Sequence, residues 1–246
     1  MKQDLWVEHL AFQHRQWIRI LLRVIGILVI LHMTSLVTGR HSWQLDRFFD
    51  LGRDDSLPAW FSSMLWLACS VAAYRCSNLS RDAYEKKVWF WFAVGLLIFS
   101  IDETARIHEN LSHLVERRFF DPAFAEKVRR TNWPIVAAPF IAAAFFWLFA
   151  FFKKVVRNHP RVWRGVSMGF LIVVLGGAGL EMTINWLQSD SLQWLFEMEV
   201  VAEESLEMLG CLLMLSAILE HVRTLIGEYS SRRPEGSESR RLPAWV

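Results

Sequence analysis

Six stretches of this 246-residue chain stay apolar over about the 20 residues that a helix needs to cross a bilayer. That feature constrains the fold before any other. Hydrocarbon offers no water to unpaired backbone groups, so a spanning segment must satisfy them internally as a helix or as part of a closed barrel. Barrel strands are about half as long as these runs. The reading is therefore an all-α polytopic membrane protein, a six-transmembrane helix bundle. The spans fall at about 18–37, 59–76, 88–107, 134–152, 165–186 and 198–219. Residues 1–226 make the six-span domain, and the polar, Pro/Gly/Ser-bearing residues 227–246 read as a flexible cytoplasmic tail. The apolar stretch of span one is long, and no small-x-small site follows it, so it reads as a retained span rather than a cleaved signal.

Composition agrees. The chain is 53% hydrophobic and 14% aromatic, above the roughly 45–50% apolar content of soluble domains. Three cysteines cannot form a disulfide framework, and all three fall in or beside spans as reduced packing residues. Net charge is +2 with no dominant basic block, so nucleic acid is not an expected partner. The lipid bilayer is.

Orientation follows from the basic residues. Eighteen of the 27 Lys and Arg lie in the N-terminal segment, the two–three and four–five loops and the C-terminal segment. The positive-inside rule places that side, and both termini, in the cytoplasm, with a cell inner membrane as the setting. Trp17, Trp89 and Trp163 fall near the inner edges of spans and Trp60, Trp133, Trp186 and Trp194 near the outer edges, as an aromatic belt would.

Spans three, five and six carry acids. The purely apolar part of span three, Val88–Ile101, covers about 21 Å, short of the roughly 30 Å hydrocarbon core. The helix must therefore take Asp102, Glu103 and Arg106 into the outer part of the bilayer. Glu181 lies near the outer end of span five, and Glu203, Glu204 and Glu207 lie in the outer half of span six. Counted from the span ends, Asp102, Glu181 and Glu203 all sit about 8 Å below the same face. An ionised side chain at the bilayer centre costs about 2.5–3.5 kcal/mol, so these acids are expected to face one another inside the bundle. On a continuous helix, Asp102, Arg106, Glu109 and His113 share one face, as do Glu199, Glu203 and Glu207. Gly176, Gly177 and Gly179 suggest close packing of span five on span three or six.

This pattern points to a divalent metal centre. Asp102, Glu103, His108, Glu109, Glu181, Glu203, Glu204 and Glu207 form the candidate ligand set. Oxygen-rich sets with an imidazole suit iron, manganese or zinc. Helix bundles do build such centres from carboxylates on facing helices, though the Glu-x-x-His spacing of the di-iron type is absent here. A metal-dependent membrane enzyme, hydrolase or oxidoreductase, is the functional expectation. Glu103 or Glu204 would act as base, on a lipid or small periplasmic substrate. No Ser/His/Asp order, phosphate-cradling loop or Cys-x-x-Cys pair supports another chemistry. Two other classes compete. One is proton- or cation-coupled transport, against which the apolar inner halves of spans three, five and six argue. The other is a structural or partner-binding role in which the acids hold the bundle together. His32, in the outer half of span one, is the best-placed additional histidine, but a buried imidazole satisfied by a hydrogen bond is the preferred reading. Asp46, Asp50, Asp54 and Asp55 in the first outer loop read as a solvated turn, in preference to Asp46 and Asp50, at i and i+4, capping the acidic cavity.

Overall fold

The computed structural model describes residues 2–39, 43–107, 110–111, 114, 118, 132–180 and 193–231. Among these residues there are seven helices and no strand. They are α1 (Lys2–Val37), α2 (Trp43–Phe49), α3 (Leu57–Leu79), α4 (Ala83–Ala105), α5 (Asn132–Trp147), α6 (Pro160–Val174) and α7 (Gln193–Ser231). α5 runs on through a wider π-type stretch, Leu148–Phe152, into Lys153–Val155. α6 runs on as a second π-type stretch, Leu175–Leu180.

Six segments are long and apolar enough to cross a membrane: Gln13–Val37, Leu57–Leu79, Ala83–Ala105, Ala138–Val155, Pro160–Leu180 and Trp194–Glu228. They match the six expected spans in number and order. Their ends differ because a helix does not stop where its apolar run stops. α1 and α7, with 36 and 39 residues, are about 54 and 58 Å long, well beyond a hydrocarbon core of roughly 30 Å. α7 continues through Gly227 to Ser231, so the tail expected from residue 227 opens as helix, and residues 232–246 lie outside the described ones.

Local chemistry sets the helix boundaries. Ser56 caps α3, its hydroxyl accepting from the Ala59 N–H at 3.3 Å, and Pro58 occupies the first turn, where no N–H is needed. Asp82 caps α4, its carboxylate accepting from the Glu85 N–H at 2.9 Å. Between them Ser80 donates its N–H to the Cys76 carbonyl at 2.9 Å and turns the chain.

The α3–α4 hairpin is bonded by a serine ladder. Ser63, Ser70 and Ser77 recur every seven residues. Their hydroxyls donate to the carbonyls of Ser100 (2.7 Å), Ala93 (2.8 Å) and Lys86 (2.8 Å), which recur every seven residues in the opposite direction. Small hydroxyl side chains let two helices approach closely and bond across the gap, which suits a medium where apolar association has no water to drive it.

α7 is the hub, packing on α1, α3 and α6. Its buried face includes Met208, Cys211, Met214, Ile218 and His221. Against it lie Cys69, Ala73 and Cys76 of α3, Val166 and Gly169 of α6, and Ile25 and Leu28 of α1. All three cysteines are buried free thiols. Large apolar side chains such as Trp17, Ile30, Phe140, Phe146 and Trp194 are exposed outward. Water-soluble domains rarely leave so much apolar surface open, whereas a lipid-facing bundle does. One tryptophan departs from the belt reading. Trp89 is fully buried between Phe152 (4.9 Å) and His221 (5.1 Å), so it belongs to the core, while Trp133 and Trp186 carry no described side chain.

The segment between α1 and α3 is folded rather than merely solvated. The Leu51 N–H donates to His32 Nδ1 at 3.1 Å, and Leu51 itself is buried. This is the hydrogen-bonded reading of His32. Asp46 accepts from the Ser35 hydroxyl, and Asp55 is clamped by Arg47 and Arg53. Hydrogen bonds from Arg47 and then Arg53 lower the Asp55 carboxyl from its ordinary 3.8 to about 2. A depressed carboxyl contributes stability above its unfolded value and loses it as pH falls through the folded one. Hydrogen-exchange protection of residues 43–56 is therefore expected to hold from neutrality down to about pH 4 and to fall between about pH 4 and 2. Asp55→Asn should abolish that dependence. The effect should be modest, because the pair is open to solvent.

Candidate functional site

The acids of spans three and six meet at one end of the bundle. α4 stops at Ala105, where Arg106 takes a left-handed conformation (φ 51°, ψ 44°) and donates its N–H to the Asp102 carbonyl at 2.8 Å. A non-glycine residue in that region costs about 1 kcal/mol or more. The Arg106 side chain is held by Asp54, with Nε 3.1 Å from the carboxylate oxygen. This corrects the reading of Asp102 and Arg106 as one continuous helical face, because α4 ends before the left-handed Arg106; Glu109 and His113 lie outside the described residues. Asp102 and Glu103 remain on the last turn of α4, both half-buried.

On α7, Glu203, Glu204 and Glu207 are half-buried one to two turns in from the buried Glu199. Glu204 is the centre of the group. The charges that bear on it are those of Glu207, Glu103, Glu203 and Asp54, drawn from α7, α4 and the loop before α3. At an effective dielectric of 20, two like unit charges 4 Å apart repel by about 4 kcal/mol. Such a group keeps its shape only by sharing protons or holding a cation.

The π-type stretch of α6 makes the room. A Cβ on Gly177 would overlap the Glu207 carboxylate oxygen Oε1, and one on Gly176 would lie 3.0 Å from Leu206 Cβ and 3.1 Å from the Glu203 carbonyl oxygen. Span five thus packs on span six, as two of the three glycines suggested. Among the described residues, a Cβ on Gly179 would meet Leu175 Cδ2 and the Val174 carbonyl oxygen, both of its own helix, at 3.9 Å. π-type turns often mark functional sites within helices.

Of the residues expected at the site, Glu103, Glu203, Glu204 and Glu207 come together, and Asp102 stands beside them on α4. His108, Glu109 and Glu181 lie outside the described residues. Among the described residues, no group of three or more His, Cys, Asp and Glu side chains is arranged to hold a metal ion. Two features escaped sequence reading. Asp54 joins the cluster because the loop folds back over the bundle, with Gly52 against Val200 of α7. Its neighbour Ser56-x-Pro58 marked a helix start, but nothing in linear spacing marked the fold-back. The other is a second polar knot at the opposite end of the bundle, where the buried His221 lies 4.7 Å from the ring of His159 and stacks on Trp89.

No curated protein and no solved structure matches the chain. A family model described as a domain of unknown function, DUF8692, matches residues 21–222, a range that takes in the acids of α4 and α7 and the glycines of α6. The chain belongs to this family.

Proposed function

We propose that this is an inner-membrane protein with both termini in the cytoplasm, whose carboxylate cluster holds a divalent metal ion (iron, manganese or zinc) towards the opposite side. The single observation that carries the reading is the convergence of Glu103, Glu203, Glu207 and Asp54 on Glu204, with glycine opposite. A carboxylate group so assembled attracts a cation. The described acids stop short of a closed ligand set. The other candidate ligands, His108, Glu109 and Glu181, lie outside the described residues. The orientation rests on the excess of Lys and Arg on one side. Such a centre would act as a metal-dependent enzyme, activating water or a bound substrate, with Glu103 or Glu204 as base.

Transport is the weaker reading. Below the acids, α7 buries Met208, Cys211, Leu212, Met214 and Leu215, which continue the cluster as apolar packing rather than as a polar path.

Elemental analysis of detergent-purified protein tests the proposal. Wild type is expected to retain stoichiometric metal after dialysis against buffer. Glu204→Gln should weaken retention by at least the roughly 10–100-fold that loss of an outer-shell partner costs. Near-zero metal in both proteins, in medium supplemented with iron, manganese and zinc, would remove the metal.

A further inference from the structure

α4, α5 and α6 leave between them a crevice of about 320 Å³. Trp91, Phe92 and Phe99 of α4, Trp147 of α5, and Val166 and Phe170 of α6 line it. Its walls are fixed by aromatic contacts. Phe92 stacks on Trp147 at 6.0 Å, and Phe99 meets Phe170 edge-on at 6.4 Å. Gly95 also lines the crevice, and a Cβ there would meet nothing within 4 Å.

Both walls lead to the carboxylates. Phe92, Leu96, Phe99 and Glu103 lie at i, i+4, i+7 and i+11, on one face of α4. Glu103 is thus about 6 Å beyond Phe99 along the helix axis. On α6, Gly177 lies two turns beyond Phe170 on the same face and touches Glu207. From Trp91 to Glu103 is about 18 Å of helix, close to the roughly 15 Å depth of one hydrocarbon leaflet. The surface is therefore amphiphilic in one direction, apolar for a leaflet's depth and anionic at its end.

We propose that the crevice takes the hydrocarbon chain of a membrane lipid and presents that lipid's head group to Glu103, Glu204 and Glu207, so that a lipid is the substrate of the site. The statement about the substrate rests on reading the carboxylate cluster as the working site. Two observations select a lipid chain over a protein partner. The crevice lies within segments long and apolar enough to cross a membrane. Its volume is that of a small-ligand pocket, near 300 Å³ at the lower end of the usual range. A stable protein interface, in contrast, buries on the order of 1,200 Å² or more.

Photolabelling tests this with the full chain in vesicles of phosphatidylethanolamine and phosphatidylglycerol. The probe is a phospholipid carrying a diazirine in its acyl chain, at the chain terminus or near the ester. Labelling at residues 91–99 and 166–170 should exceed that at residues 20–22 of α1, where Ile20 and Leu22 are exposed away from the crevice, by at least several-fold. The terminal diazirine should favour residues 91–95 and the ester-proximal one residues 99–103. Gly95→Phe, or Gly95→Leu if the larger ring lowers the melting temperature, should bring crevice labelling down to the α1 level. Gly26→Phe, at another site where a Cβ meets nothing within 4 Å, should leave it unchanged. Equal labelling of both faces in wild type, a reversed gradient, or crevice labelling indifferent to both Gly95 variants would overturn the proposal. Metal content is read on the same preparations. A wild type without metal but with graded, Gly95-sensitive labelling would sink the metal reading and leave the lipid site standing.

Discussion

Gly169→Ala is expected to unseat α6 from α7 and to destabilise the protein by about 3 kcal/mol, the upper end of overpacking costs. A Cβ on Gly169 would lie 2.5 Å from the Gly210 carbonyl oxygen, 2.5 Å from Met214 Cγ and 3.0 Å from the Met214 nitrogen. Two of those atoms are backbone and cannot swing aside as a side-chain tip can. The contact is reciprocal, since a Cβ on Gly210 would lie 2.6 Å from the Gly169 carbonyl oxygen. One turn earlier on α6, a Cβ on Gly165 would lie 2.5 Å from Ala217 Cβ. Gly165-x3-Gly169 is thus a small-residue seam against α7, and van der Waals contact between backbones is the main source of helix association in lipid. At about 2–4 °C per kcal/mol for a chain of this size, melting in detergent should fall by about 6–12 °C. Gly26→Ala is the control. There a Cβ meets nothing within 4 Å, and replacing a helical glycine by alanine favours the helix by about 1 kcal/mol. Equal melting of the two variants would show that the α6–α7 contact is not close-packed.

Trp89→Ala should cost about 3 kcal/mol as well. Truncating a buried Trp in a soluble core costs roughly 3–5 kcal/mol, part of it transfer out of water and part the cavity left behind. Between lipid-facing helices the transfer part falls away, which leaves the low end of that range. Trp89 is completely buried and joins α4 to Phe152 beside α5 and to His221 of α7. Its loss therefore opens a cavity where three helices meet. The expected readout is a melting temperature lowered by about 6–12 °C with metal content unchanged, because the carboxylates sit at the other end of the bundle. Trp17→Ala should be nearly silent, since Trp17 is 60% exposed on α1. A comparable shift for both would mean that Trp89 is not a core residue.

The pattern of hits and misses has a physical cause. Hydrocarbon reads each span by itself, so the number and order of the six helices follow from runs of apolar residues along the chain. The expectation that Glu103, Glu203, Glu204 and Glu207 face one another rests on the same physics, because a carboxylate in hydrocarbon is costly. Two of three span-five glycines were informative for the same reason, as close approach needs small residues whatever the partner. Arg106 could not be read so. Its helical angle depended on α4 continuing, and the helix ends there in a left-handed residue held by Asp54. The belt assignment of Trp89 failed because depth along a helix says nothing of azimuth.

The chain by itself therefore determined how many segments are long and apolar enough to cross a membrane and where along them the acids fall, since both follow from composition along the chain. Only the tertiary structure decided which neighbours those segments meet. The fold-back of Asp54 onto Glu204, the seating of Gly177 against Glu207 and the serine bonds between α3 and α4 each depend on the rotation of one packed helix against another. No span carries that angle alone, because it is set by the contacts the helices make with each other.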